Sequence, residues 1–165
     1  MGNASITRKS LDEWISCIND ERTRNYVQNR VVEQMDFYRT RSKEYKKKYH
    51  ALMTISIVIG FLIPVMSILA DGSIVMKVIL AALGSATTAI TAYLRMHNYH
   101  ELWTRYRCNR EFLLSTLYGY FTKTGVYKTC PDQQTCDQML IETCESCFDR
   151  ENRGWTELLA EDIKE

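Results

Sequence analysis

Residues 51–94 read ALMTISIVIGFLIPVMSILADGSIVMKVILAALGSATTAITAYL and decide the fold. The first run, 51–70, carries no charge, and a helix of that length spans ~30 Å, the thickness of a bilayer's hydrocarbon core. A second apolar run, 74–94, follows after Asp71, Gly72 and Ser73 alone and has Lys77 near its start. Two such runs joined by a short turn predict a helical hairpin that crosses a membrane and returns.

The charges that flank the hairpin favour a membrane over the core of a soluble four-helix protein. Basic residues are concentrated at the two outer ends of the hairpin, whereas the turn contributes only Asp71 and, one helical turn later, Lys77. This is the positive-inside asymmetry of a hairpin with both termini in the cytoplasm. The basic residues concerned are Arg39, Arg41, Lys43, Lys46, Lys47, Lys48, Arg95, Arg105, Arg107 and Arg110.

The rest of the chain has helical periodicity on both sides of the hairpin. We expect a lead-in at 1–20, a cytoplasmic helical arm at 21–50, transmembrane spans at 51–70 and 74–94, a second cytoplasmic arm at 95–123 and a C-terminal cytoplasmic helix at 134–163. The two arms are similar in length and should pair antiparallel. The predicted fold is therefore an all-α integral membrane protein.

Composition and motifs narrow the function. Lys and Arg total 21 against 20 Asp and Glu, so bulk charge gives no reason to expect a nucleic-acid partner. No phosphate-binding glycine loop, nucleophile elbow or His–Glu metal pair is present, and two spans leave little chain for a catalytic pocket. We expect neither enzymatic activity nor a cofactor.

A set of polar and aromatic residues around the hairpin matches a known pattern. The stretch ELWTRYRCNREFLL reads W-x-x-Y-R-x-x-x-E-x-L and follows a first span that contains Ile63-Pro64. Gln34 and Tyr38 precede the hairpin, and further positions follow at Tyr127, Glu151, Asn152 and Trp155. From about 21 to 158 the chain resembles the bacterial two-transmembrane SLATT family, the SMODS- and SLOG-associating effector domains.

This resemblance implies a bacterial membrane effector that assembles into an ion-conducting oligomer. Some members of that family act in nucleotide-triggered defence, but no sensor domain is fused in this chain, so a nucleotide signal would come through a cytosolic sensor partner. The expected location is the bacterial inner membrane. The expected partners are the lipid bilayer, further copies of the chain (a tetramer is the working assumption) and permeant ions such as K⁺ or Ca²⁺.

The second span contains the candidate pore-lining residues. Small residues at Ala82, Ala86 and Ala89 would let helices of different copies approach closely. Another line on the same helix is small and hydroxylated and would face the lumen; it consists of Ala81, Gly84, Thr88 and Thr91. Alternatively, these hydroxyls bond carbonyls of their own helix and mark helix–helix contacts only.

Asp71 and Pro64 are candidates for ion selection and gating. Repeated in every copy, Asp71 would form a carboxylate ring at the outer mouth and concentrate cations. Alternatively, Asp71 or Ser73 simply caps the second span. Pro64 removes a hydrogen bond to the carbonyl of Gly60, so the first span should kink there, either as a gate hinge or without a gating role.

Two further clusters lie outside the spans. Six residues of the arms are expected to lock the two arms together as a cytoplasmic stalk: Gln34, Tyr38, Trp103, Tyr106, Arg107 and Glu111. Arg107 and Glu111 are four residues apart and should form an ion pair. Alternatively, the aromatic rings beside Arg107 form a ligand site. Four cysteines near the C-terminus are weak candidates for a zinc site, with a redox pair and core packing as the alternatives; they are Cys130, Cys136, Cys144 and Cys147.

The sequence therefore leads to two functional hypotheses. The first is a homo-oligomeric ion channel or pore, cation-permeable, with the second span nearest the axis. The alternative is a non-conducting membrane anchor whose stalk recruits a cytosolic partner.

Overall fold

The computed structural model of the chain describes residues 8–69 and 73–162, and the side chains among them at 10–68 and 73–153. All regular secondary structure among these residues is helical, and they contain no strand, so the all-α prediction is confirmed. The helices are α1 (Arg8–Ser16), α2 (Glu21–Tyr26), a π-helical turn (Val27–Val31), α3 (Val32–Leu69), α4 (Ile74–Met96), α5 (Tyr99–Thr122), a 3₁₀ turn (Gly125–Thr129) and α6 (Gln133–Asp162).

The chain divides into two compact units. We call Met1–Tyr38 with Cys108–Glu165 the cysteine unit, because it contains the buried cysteines, and Arg39–Arg107 the hairpin unit. Helices α3 and α5 each contribute to both units, whereas α1, α2 and α6 belong to the cysteine unit and α4 to the hairpin unit.

The cysteine unit has a buried core of its own. Its helices begin at strong caps, since the Asp20 carboxylate accepts from the Thr23 amide at 2.9 Å and the Asp132 carboxylate accepts from the Thr135 amide at 2.6 Å. The Trp14 ring of α1 meets the Tyr118 ring of α5 edge-on at 5.2 Å. The core comprises Leu11, Ile15, Ile18, Val27, Val31, Val32, Met35, Tyr38, Leu113, Leu117, Tyr120, Tyr127, Cys136, Leu140, Cys144, Cys147 and Phe148.

In the hairpin unit, each apolar helix turns one face toward the other. The buried members of these faces are Ser56 on α3 and Leu94 on α4. Half-buried side chains recur three or four residues apart, as one face of a helix requires; they are Leu52, Ile59, Ile63 and Met66 on α3, and Met76, Leu80, Leu83, Thr87 and Ile90 on α4. The hairpin is thus held by one apolar stripe from each helix.

Two local features depart from simple helical periodicity. The π-helical turn at Val27–Val31 has both of its valines fully buried, and nothing in the sequence indicates it. A turn at His97 and Asn98 separates α4 from α5, with Asn98 at φ +44°. Asparagine tolerates this left-handed backbone better than most residues, so Asn98 was a usable signal for the break.

Candidate functional site

The outward faces of α3 and α4 are apolar and exposed. By length and composition, two helical segments are long and apolar enough to cross a membrane, and their most apolar windows are only 6% and 0% buried within the chain. The outward face of α3 is bulky, with Phe61 72% exposed and Ile68 86% exposed. The outward face of α4 instead carries small side chains along most of its length, at Ala81, Ala82, Ser85, Ala86, Ala89 and Ala92.

The predicted pore-lining residues lie along one flank of this outward face. Ala81, Thr88 and Thr91 are exposed, and Gly84 is half-buried. The Thr88 hydroxyl donates to the carbonyl of Gly84 at 3.1 Å, and the Thr91 hydroxyl donates to the carbonyl of Thr87 at 2.6 Å. Because their hydrogens are used within the helix, these hydroxyls present only oxygen lone pairs outward, which suit cations or water hydrogens.

The same flank carries a positive charge near each end. Lys77 and Arg95 are 18 residues apart, which is five helical turns, so both lie in line with Thr88. Both side chains are exposed. The spacing was readable in the sequence, but its meaning depended on α4 being one uninterrupted helix.

The selection and gating candidates have different outcomes. Asp71 lies outside the described residues. Ser73 is the N-cap residue of α4, but its side chain makes no capping hydrogen bond. Pro64 lies in the interior of α3, which continues as a helix on both sides of it.

The six predicted stalk residues are divided between the two units. Trp103, Tyr106 and Arg107 belong to the hairpin unit, whereas Gln34, Tyr38 and Glu111 belong to the cysteine unit. Arg107 is exposed, and the Glu111 carboxylate accepts from Arg110 at 2.8 Å.

Within the hairpin unit, the motif residues of α5 pack against α3. The Tyr106 ring stacks on the Tyr45 ring at 5.9 Å, with 7° between the ring planes. The Ser42 hydroxyl donates to the carbonyl of Trp103 at 3.1 Å, and the Lys46 ammonium lies 5.6 Å from the Trp103 ring centroid. Sequence reasoning did not predict Ser42, Tyr45 or Lys46 as these partners.

Within the cysteine unit, three tyrosines are hydrogen-bonded to carboxylates of α6. The Tyr38 hydroxyl donates to Glu151, the Tyr26 hydroxyl to Glu145 at 2.8 Å, and the Tyr120 hydroxyl to Asp137 at 2.5 Å. Burial, together with these hydrogen bonds, raises the pKa of each of the three tyrosines. The three bonds hold α6 at three positions along its length. Of the three tyrosines, sequence reasoning singled out only Tyr38.

Glu145 also receives a bidentate arginine. The Arg30 guanidinium donates to its two carboxylate oxygens at 3.1 and 3.2 Å. These bonds from Arg30, followed by the bond from Tyr26, hold the pKa of the Glu145 carboxyl below its ordinary value. Arg30 lies in the π-helical turn, so this irregular turn is connected to α6 through Glu145.

The four C-terminal cysteines are placed mostly in the core. Cys136, Cys144 and Cys147 are at most 2% exposed, while Cys130 is half-buried. Burial raises the pKa of the Cys144 thiol to about 12, which keeps it protonated. Within the described side chains, no three His, Cys, Asp or Glu groups converge as metal ligands.

Comparison with known proteins places the chain in a family whose role is undefined. No curated protein and no solved structure matches it significantly. Residues 33–134 match the model of a family described as "Protein of unknown function (DUF4231)", which covers the apolar hairpin and most of both flanking arms. That assignment is compatible with the SLATT resemblance, whose name it leaves unconfirmed. The chain therefore belongs to the DUF4231 family.

Proposed function

We propose that this chain is an integral membrane protein whose copies assemble around an axis into an ion-conducting pore. The observation that carries the proposal is the contrast between the outward faces of the hairpin helices. The face of α3 is bulky and apolar, whereas the face of α4 is small and hydroxylated between residues 81 and 92. A lipid contact suits the first surface, and close packing between helices of several copies suits the second.

The membrane location is supported by the amount of apolar surface left uncovered. Twelve large apolar side chains between residues 53 and 79 are exposed, and most are about half-exposed. Covering them would gain roughly 10–15 kcal/mol, on the scale of 1.5–3 kcal/mol for one fully buried side chain. That sum is comparable to the whole stability of an ordinary domain, so water is an unsuitable solvent for this surface.

Orientation follows from the charges. The lysines at 46–48 and Arg95 flank one end of the hairpin. Among the residues that the structure describes, Lys77 carries the charge near the other end. By the positive-inside rule the arms and the cysteine unit are cytoplasmic, and the turn between α3 and α4 is outside. In a bacterium the corresponding membrane is the inner membrane.

The path for ions requires several copies, because two helices enclose no aqueous lumen. Ala82, Ser85 and Ala89 on α4 let neighbouring copies approach, and the flank with Ala81 and Thr88 then borders the axis. Its hydroxyl lone pairs replace part of the hydration shell of a cation such as K⁺ or Ca²⁺. Lys77 on the same flank opposes this preference, so the cation current is set by the balance between its charge and the hydroxyl oxygens.

The experiment is ion flux from the purified full chain reconstituted in liposomes, with K⁺ and Ca²⁺ measured separately. Thr88→Leu should reduce the flux to the level of protein-free vesicles, because the larger side chain fills the proposed lumen. Thr54→Leu is the matched control, since Thr54 lies on the exposed face of α3 directly opposite its buried stripe. Equal flux from wild type and Thr88→Leu would contradict the pore.

The alternative function is a membrane anchor that recruits a cytosolic partner. It is favoured by a groove in the cysteine unit, of about 470 Å³, beside the exposed side chains of Phe112 and Val126. If the protein is an anchor, we expect no flux of either ion, and we expect Thr88→Leu to leave partner recruitment unchanged. It also predicts that Val126→Asp, which adds a charge beside the groove, abolishes partner recruitment while the protein stays in the membrane.

A further inference from the structure

The hairpin unit contains a cavity at the point where its apolar helices give way to charged sequence. The cavity has a volume of about 360 Å³, which is in the range of small-ligand sites. Its lining comes from three helices and the turn between α4 and α5, and consists of Tyr49, Met53, Thr91, Leu94, Arg95, Asn98, His100 and Glu101. All of these residues lie within the hairpin unit.

The lining changes from apolar to polar along the direction of the helices. Met53 and Leu94 belong to the apolar runs and form the side nearest the spans. The Thr91 hydroxyl donates to its own helix at 2.6 Å and therefore adds no hydrogen-bond donor to the cavity. Arg95, Asn98 and His100 follow at the boundary, so one cavity offers both a hydrocarbon surface and a polar one.

The polar side is rich in hydrogen-bond donors. Arg95 is an exposed guanidinium, and Asn98, His100 and Tyr49 each carry a group that can donate. The ring of His100 meets the ring of Tyr49 edge-on at 5.3 Å, which positions both beside the cavity. Guanidinium groups bind phosphate with paired hydrogen bonds, which favours a phosphate-bearing ligand.

Glu101 is the acidic residue in the lining. Its carboxylate accepts from the Arg105 guanidinium of the next turn at 2.9 Å, so its charge is balanced on its own helix. The positive charge of Arg95 therefore remains available to a ligand. A small anion would use that charge alone, whereas a ligand with acyl chains would also use the surface of Met53 and Leu94.

We propose that this cavity binds the headgroup of an anionic phospholipid of the cytoplasmic leaflet, with the acyl chains lying along α3 and α4. The inference rests on the membrane location in the proposed function, because only there does the boundary of the apolar runs meet a layer of headgroups. Arg95 binds the phosphate, while His100 and Asn98 donate to the phosphate or the glycerol. The bound lipid fills the gap between α3 and the α4–α5 turn.

The test is native mass spectrometry of the full chain purified in detergent and titrated with dioleoylphosphatidylglycerol or dioleoylphosphatidylcholine. The chains of the two lipids are identical, so a difference reports the headgroup. Both lipids carry the phosphate that Arg95 binds, but phosphatidylcholine also carries a trimethylammonium cation that repels the Arg95 guanidinium, so we expect the anionic lipid to bind about tenfold more tightly. Arg95→Gln should abolish the difference.

Lys43→Gln is the matched control, because it removes one exposed charge from α3 and lies outside the cavity lining. Loss of lipid preference in both variants alike would overturn the site in favour of general surface charge. Met53→Trp, which fills the apolar side, should weaken lipid binding. Complete displacement of the lipid by inorganic phosphate at equal concentration would identify a small-anion site instead and would also overturn the proposal.

Vesicle flotation separates this proposal from the function on which it rests. Protein that fails to float with phosphatidylglycerol vesicles contradicts the membrane location itself. Protein that floats but shows no headgroup preference contradicts the lipid site alone.

Discussion

Replacing Tyr120 with phenylalanine tests how α6 is held in the cysteine unit. The Tyr120 hydroxyl donates to Asp137 at 2.5 Å, and the Gln133 amide donates to Asp137 at 2.7 Å. Tyr120 and Asp137 are only 3% and 7% exposed, so the carboxyl group cannot recover the lost bond from bulk water. A hydrogen bond to a charged group is worth ~1.5–3 kcal/mol, and since Gln133 remains, we expect a loss of about 2 kcal/mol.

The buried thiol of Cys144 provides the assay. It is 0% exposed, and burial raises its pKa to about 12, so alkylation requires opening of the cysteine unit. When alkylation is slower than reclosing, its rate follows the opening equilibrium. A loss of 2 kcal/mol then corresponds to roughly 30-fold faster labelling, followed by mass spectrometry with exposed Cys108 as the internal standard.

Tyr118→Phe is the matched control for that experiment. Tyr118 lies two residues earlier on α5, and its ring packs on Trp14. Within the part of the chain that the structure describes, its hydroxyl has no carboxylate partner. The reasoning is refuted if Cys144 is labelled at the same rate in wild type and Tyr120→Phe, or if Tyr118→Phe accelerates labelling equally.

Two further substitutions test the electrostatics and packing of the same unit. Arg30 lowers the pKa of Glu145, so the carboxylate stabilises the fold above the ordinary glutamate pKa of 4.5, and this contribution disappears as the pH falls through the lowered value. Because the pair is partly exposed, Glu145→Gln should lower the stability by at most ~1 kcal/mol at pH 7 and by progressively less as the pH falls through the lowered pKa; a pH-independent difference in Tm would contradict this. Gly119→Ala gains ~1 kcal/mol of helix propensity, but the new Cβ lies 3.3 Å from the buried ring of Tyr127, so overpacking of ~1–3 kcal/mol should win and lower the Tm. Gly60→Ala, which meets nothing within 4 Å, is its control, and a rise in Tm for both variants would show that the Tyr127 ring can shift.

The sequence predicted the helical architecture because the relevant signals are local. Two long apolar runs with charged flanks and almost no glycine or proline leave few alternatives to a helical hairpin with helical arms. Helical periodicity did not reveal the π-helical turn, because nothing in VQNRV distinguishes it from an ordinary helical turn.

Side-chain partners were predicted less well. The lock between the arms through six residues stays a prediction, and the structure adds a partner that the sequence did not indicate, since Tyr106 stacks on Tyr45. The bonds from Tyr26 and Tyr120 to α6 join residues 119 and 17 positions apart, respectively. No sequence period relates such pairs, since each depends on how separate helices meet.

The sequence by itself therefore determined that this chain is helical and contains two helices apolar enough to cross a membrane, because hydrophobicity, helix length and charge are properties of consecutive residues. Only the tertiary structure decided which face of α4 meets α3 and which stays open, and that Arg95, His100 and Tyr49 border one cavity. Those facts depend on the rotation of each helix about its axis. That rotation is fixed by packing between residues far apart in the chain.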